Sequence, residues 1–99
     1  MGDQIVLQID DPTVQALLPR YLVRRTQDVT SMREALGRRA FDDIALLAHR
    51  MRGSGAAYGM PFVTKTGRRL EHAAQAADAG VIQDTLDQLD AYLGRVRIA

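Results

Sequence analysis

Apolar side chains recur along most of this chain at the three-and-four spacing of a helix. Tyr21, Leu22, Val29, Met32 and Leu36 keep that rhythm in one segment. Phe41, Ile44, Ala48, Met51 and Gly55 fall within about 80° of one another on the next. Val63, Leu70, Ala73 and Ala77 form a third inward stripe, and Ile82, Leu86, Leu89 and Leu93 a fourth. Punctuation between the stripes sets the expected boundaries. Asp10 and Asp11 precede Pro12, a favourable start because the carboxylate caps free amides while proline suits the first turn. A short helix over 12–18 follows, and Pro19 is expected to restart the chain at a new angle in a helix that Gly37 stops. The next helix spans 41–58 and ends at Gly59 in the left-handed region; Pro61 opens another, to about 79, which Gly80 ends. The last runs from 81 to about 97. This pattern predicts an all-α fold, an antiparallel up-and-down four-helix bundle with a short extra N-terminal helix. Ile5, Leu7 and Ile9 alternate as a strand would, but no second strand-like run is evident to pair with them. Residues 1–11 are therefore read as an extended lead-in to a single domain over 12–97.

Composition narrows the class. Ninety-nine residues suffice for one domain, and 46% hydrophobic with 25% charged residues is an ordinary globular profile. The chain has no cysteine, which removes disulfides and thiolate metal sites. No basic leader with a long apolar run opens the sequence, and no window approaches a membrane span, so a cytoplasmic protein without membrane contact is expected. A net charge of +1 gives no bulk attraction to nucleic acid. Six arginines between residues 20 and 39 face only Asp28 and Glu34 there, but Tyr21 is the one aromatic residue among them, short of the interleaved aromatics on which a single-stranded nucleic acid stacks.

The stretch A-H-R-M-R-G-S-G-A-A-Y-G, residues 48–59, carries the chemistry. Glycine inside a helix costs roughly 1 kcal/mol relative to alanine, so it marks a place where the absence of a side chain is useful. With Ile44 at zero on the wheel, His49 falls at about 140° and Gly53 at about 180°, both outward. Leu46 one turn before His49, with Gly53 and Ala56 after it, gives the histidine a surround of small and apolar surface suited to protein docking. Arg52 is a helical neighbour of His49 and carries the donors that recognise phosphate oxygens. A neutral imidazole is a competent nucleophile near pH 7 without an activating base.

These residues resemble the signature of the histidine-containing phosphotransfer domains of multistep two-component relays: His, any residue, apolar, Lys or Arg, Gly and two small residues, then a further glycine. Here it reads His49, Arg50, Met51, Arg52, Gly53, Ser54, Gly55, then Gly59. The similarity continues through L-L-P-R-Y-L near the start, R-R-L-E at 68–71 and the terminal helix. The resemblance implies that His49 accepts a phosphoryl group from an aspartyl phosphate on a receiver domain and passes it to another. Arg52 then neutralises phosphoryl charge, Gly53 clears space for the receiver, and Glu71 contacts the imidazole; Leu46, Arg50 and Ala56 belong to the docking face. Arginine stands where the family usually carries lysine. The resemblance places no cofactor on this chain and assigns Mg²⁺ to the partner receiver.

Other classes fit less well. His49 and His72 on separate helices are too few for a metal site. No phosphate-binding glycine loop of the P-loop kind supports ATP-dependent kinase activity. A monomeric carrier with transient partners is expected, and Met1 ahead of a whole bundle favours a free-standing one. The competing reading is an interaction module that binds a receiver or histidine kinase without transferring phosphate.

Overall fold

A computed structural model describes residues 3–98. The first two residues of the expected lead-in lie outside them, as does Ala99. The order is β1 (Ile5–Leu7), α1 (Pro12–Gly37), α2 (Phe41–Arg52), a single 3₁₀ turn (Ala56–Tyr58), α3 (Pro61–Gln75), α4 (Ala79–Arg95) and β2 (Val96–Ile98). The helices form a bundle in which α1 touches α2 and α4, and α3 touches the same two. The centre is filled by Leu18, Met32, Ile44, Met51, Met60, Leu70, Ile82, Leu86 and Leu89, all fully buried. All four apolar stripes supply this core. Ala77 is the misplaced member, since it lies exposed beyond the end of α3.

Several boundaries differ from expectation. No separate N-terminal helix precedes Pro19: residues on both sides belong to α1, whose 26 residues begin under the Asp11 cap (Thr13 N–H to Oδ1, 2.9 Å). Proline leaves the Gln15 carbonyl without its helical donor, but both residues are exposed, so water can take that place. The buried run of Leu18, Tyr21, Val29, Met32 and Ala35 holds α1 together across it. Similarly, α2 ends at Arg52 rather than near 58, and α3 at Gln75 rather than near 79.

The first long helix does stop at Gly37, as expected, but at two helix ends the left-handed position is not taken by glycine. After α1 the left-handed residue is Arg39 (φ 58°), with Ala40 N–H bonded to the Ala35 carbonyl and Arg39 N–H to that of Leu36. After α3 it is Ala77 (φ 53°), with the equivalent bonds from Asp78 to Ala73 and from Ala77 to Ala74. Both are Schellman ends, which satisfy orphan carbonyls by turning one residue left-handed. Gly59 (φ 73°) makes the same turn after residues 56–58, as its sequence position predicts. Gly80 instead sits in the first turn of α4, which Asp78 caps through Val81 N–H.

The lead-in does find a partner. β1 and β2 form a parallel two-stranded ladder that pairs Ile5 with Val96, Val6 with Arg97 and Leu7 with Ile98. The last helix therefore ends at Arg95, and the residues expected to be its final turn are extended. Leu7 and Val96 are buried against the bundle, and the Arg95 guanidinium donates to the Asp3 carbonyl.

Candidate functional site

His49 lies in the last turn of α2 with Arg50 and Arg52, at the helix end whose free carbonyls favour positive charge. Its side chain is 57% exposed, in agreement with the wheel, and faces α3. There Glu71 brings Oε2 to 3.0 Å from His49 Nδ1 and Oε1 to 3.1 Å from the Arg52 guanidinium. The Arg52 N–H is not aligned for a hydrogen bond, so the second contact is an ion pair beside an otherwise unbonded, buried oxygen. Three of the four residues assigned to the chemistry thus form one cluster. A carboxylate can only accept, so with a neutral ring Nδ1 carries the proton and donates, and Nε2 keeps its lone pair on the exposed side of the contact.

Gly53 caps α2 with an ordinary φ of −74°, and a Cβ added there would meet nothing closer than the Arg50 carbonyl at 3.6 Å. Neither backbone nor packing demands glycine at this position. Gly55 and Gly67 are the opposite case. A Cβ on Gly55 would lie 2.6 Å from Thr64 N, and one on Gly67 2.8–2.9 Å from the Cβ, Cα and N of Arg52. Gly67 is one helical turn before Glu71 on α3, and its missing side chain lets α3 approach α2 closely enough for Glu71 to reach both partners. Sequence reasoning passed over Gly67, although the cost of glycine within a helix was the signal that could have found it.

A second unforeseen group fixes the chain just after the histidine. Ser54 Oγ donates to the Met51 carbonyl (2.8 Å) and accepts from the Tyr21 hydroxyl (2.9 Å) and Arg25 (3.0 Å) on α1. Tyr21 stacks on Tyr58 with centroids 4.0 Å apart, and Arg25 also pairs with Asp28 at 2.8 Å. The segment after α2 is thereby tied to α1, which limits movement at the end of the helix that carries His49. Burial raises the Asp28 carboxyl above its ordinary value, with Arg25 opposing that rise.

The docking residues divide. Leu46 (50% exposed) and Arg50 are on the outer surface of α2, Leu46 beside a groove shared with Ser31, Glu34 and Ala35 of α1. Ala56 is exposed but not on the helical face that carries His49, because α2 has already ended; its N–H bonds to Thr64 Oγ1. His72 is exposed on α3. Among the described residues no group of three or more His, Cys, Asp or Glu side chains is set to hold a metal, and no helix is long and apolar enough to cross a membrane.

A helical bundle with an exposed histidine braced by a carboxylate on the adjoining helix defines a class, and the family comparison agrees with it. The Hpt domain profile matches residues 16–99, and the chain belongs to that family, whose members carry out histidine phosphotransfer with receiver domains in two-component phosphorelays. Searches of curated proteins and of solved structures returned no match.

Proposed function

We propose that this protein is a phosphocarrier that accepts a phosphoryl group on His49 Nε2 from an aspartyl phosphate of a receiver domain and passes it to another receiver. The observation that carries the reading is the bond between His49 Nδ1 and Glu71 on a ring that is otherwise exposed. In the forward step the Nε2 lone pair forms the N–P bond as the P–O bond to the aspartate breaks, and the carboxylate leaves with the bonding electrons. The Nδ1 proton stays in place, so the product ring is positively charged and Glu71 faces that charge. Arg52 contributes positive charge beside the ring. The receiver supplies the acceptor carboxylate and its Mg²⁺, and this domain supplies the nucleophile and the docking face of Leu46, Arg50 and Gly53.

Connections of a few residues between successive helices support the antiparallel up-and-down order proposed for the bundle. Cytoplasmic location and a monomeric state complete the proposal, as fits a shuttle between receivers.

The test is incubation with a phosphorylated receiver and Mg²⁺. An acid-labile, alkali-stable label is expected on the wild type and absent from His49→Gln. Receiver binding without any label establishes the non-transferring module instead, and equal labelling of His49→Gln moves the acceptor elsewhere.

A further inference from the structure

Where α1 meets the segment after α2, a groove of about 390 Å³ opens whose lining includes none of His49, Arg52 and Glu71. Leu17, Arg20, Tyr21, Arg24 and Arg25 line it from α1, and Ser54 and Tyr58 close the other side. We propose that this groove is a binding site for a nucleoside diphosphate, with the arginines on the diphosphate and Leu17 and Tyr58 against the nucleoside. The site stands apart from the phosphotransfer reading, no step of which uses these side chains.

Unanswered positive charge is the first reason. Arg20 and Arg24 are exposed, and neither makes an ion pair among the described residues. They stand four residues apart on α1, which puts their Cβ atoms roughly 6 Å from each other on one face, where like charges repel. Asp28, the acid one turn beyond Arg24, is already engaged by Arg25 at 2.8 Å, and Arg24 exerts a smaller pull on it. Two guanidiniums at that spacing can both reach the adjacent phosphates of one diphosphate.

The second reason is a floor fixed in advance. Tyr21 stacks on Tyr58, and Arg25 Cζ lies 4.8 Å from the centroid of the Tyr21 ring. Arg25 also donates to Ser54 Oγ, and its side chain is only 14% exposed. The depth of the groove thus holds a cation in place, while Arg20 and Arg24 at the rim are free to close on a ligand. Exposed Leu17 and half-buried Tyr58 add apolar and aromatic surface. The volume falls within the range of small-molecule sites, roughly 300–1,000 Å³. Several cations around one pair of stacked rings suit a single nucleotide, whereas a nucleic-acid strand needs a series of stacking platforms. An acidic peptide is met by the rim charges alone and makes no use of the aromatic floor.

ADP and inorganic pyrophosphate are the probes, titrated into the full chain without a receiver or Mg²⁺. Calorimetry gives the affinities and amide NMR locates the ligand. ADP is expected to shift the amides of Leu17, Arg20, Arg24, Ser54 and Tyr58 and to bind about tenfold more tightly than pyrophosphate. Arg20→Gln with Arg24→Gln changes only exposed side chains and should weaken ADP binding by about tenfold or more, with circular dichroism to check the fold. Lys65→Gln with Arg68→Gln removes equal charge from exposed positions of α3 and should change the affinity by less than about twofold. His49→Gln should bind ADP as the wild type does.

Absence of ADP binding overturns the proposal, as does equal weakening by the two double variants, which would reduce the effect to bulk charge. Pyrophosphate binding as tightly as ADP removes the nucleoside from the site and overturns it too. Loss of binding in His49→Gln would move the ligand to the imidazole. A polyglutamate peptide that shifts the same amides when ADP does not would assign the groove to an acidic protein partner instead.

Discussion

Gly53 has no reason within its own chain to be glycine, since its backbone angles suit any residue and the space beside it is open. On the proposed phosphotransfer reading, its value comes from what approaches from outside. Gly53→Ala is therefore expected to leave the melting temperature unchanged or slightly higher, and Gly53→Leu to slow labelling from a phosphorylated receiver at least tenfold while remaining folded. Unimpaired transfer in Gly53→Leu would remove the steric role. Gly67→Ala should behave in the opposite way. Its methyl group would press on the Arg52 backbone, destabilising the fold by about 1–3 kcal/mol in urea titrations and separating Glu71 from His49. The difference between the two glycines explains what was legible. His49, Arg52 and Gly53 announce themselves by their spacing along one helix, and Glu71 only through the family resemblance. Gly67 is significant only through the distance between two helices, and Ser54 only through Tyr21 and Arg25, 33 and 29 residues away. No local pattern contains those separations.

Among the elements, the inward faces were readable and the ends were not. Apolar periodicity reports burial, which extends over many residues, whereas a helix end is decided by one left-handed residue. Gly37 and Gly80 marked the neighbourhoods of two ends, but Arg39 and Ala77 take the left-handed positions. A Cβ in that conformation is unfavourable by about 1–2 kcal/mol. Ala77→Gly should consequently stabilise the protein by about 1 kcal/mol, seen as a higher urea midpoint with unchanged m-value; a lower midpoint would contradict the assigned end of α3. The tie between α1 and the segment after α2 offers a pH test. Because burial raises Asp28 above its ordinary 3.8, the folded state binds that proton more tightly than the unfolded state. The corresponding stabilisation is fully present below the ordinary value and is lost as pH rises through the raised one. Relative to Asp28→Asn, the wild type should thus lose stability as pH rises across that interval. Arg25→Gln should move the Asp28 titration, followed by carboxyl NMR, further upward; a downward movement would show that Arg25 does not oppose the effect of burial.

For the whole molecule, the sequence pointed to one helical domain but concealed how its two extremities meet. Ile5, Leu7 and Ile9 alternated visibly, whereas Val96 and Ile98 followed a helix without a break and looked like its continuation. A three-residue strand has too short a pattern to identify itself, and its partner was at the other end of the chain. The ladder from Ile5–Val96 to Leu7–Ile98 consequently joins residues of very large sequence separation, and Arg95 to Asp3 spans 92 positions. Such contacts exact nearly the full loop-closure entropy of the chain before they return any energy, whereas α2 and α3 meet across a short connection. The ladder should close late, after the transition state for folding has been crossed. Leu7→Ala is expected to remove about 2 kcal/mol of stability. In stopped-flow chevrons nearly all of that loss should appear as faster unfolding, roughly twentyfold or more, with little change in the refolding limb. A refolding rate reduced in proportion would instead make the ladder part of the folding nucleus. The late-closing ladder thus acts as a latch on the finished bundle, setting how long the native state lasts rather than how quickly it is reached.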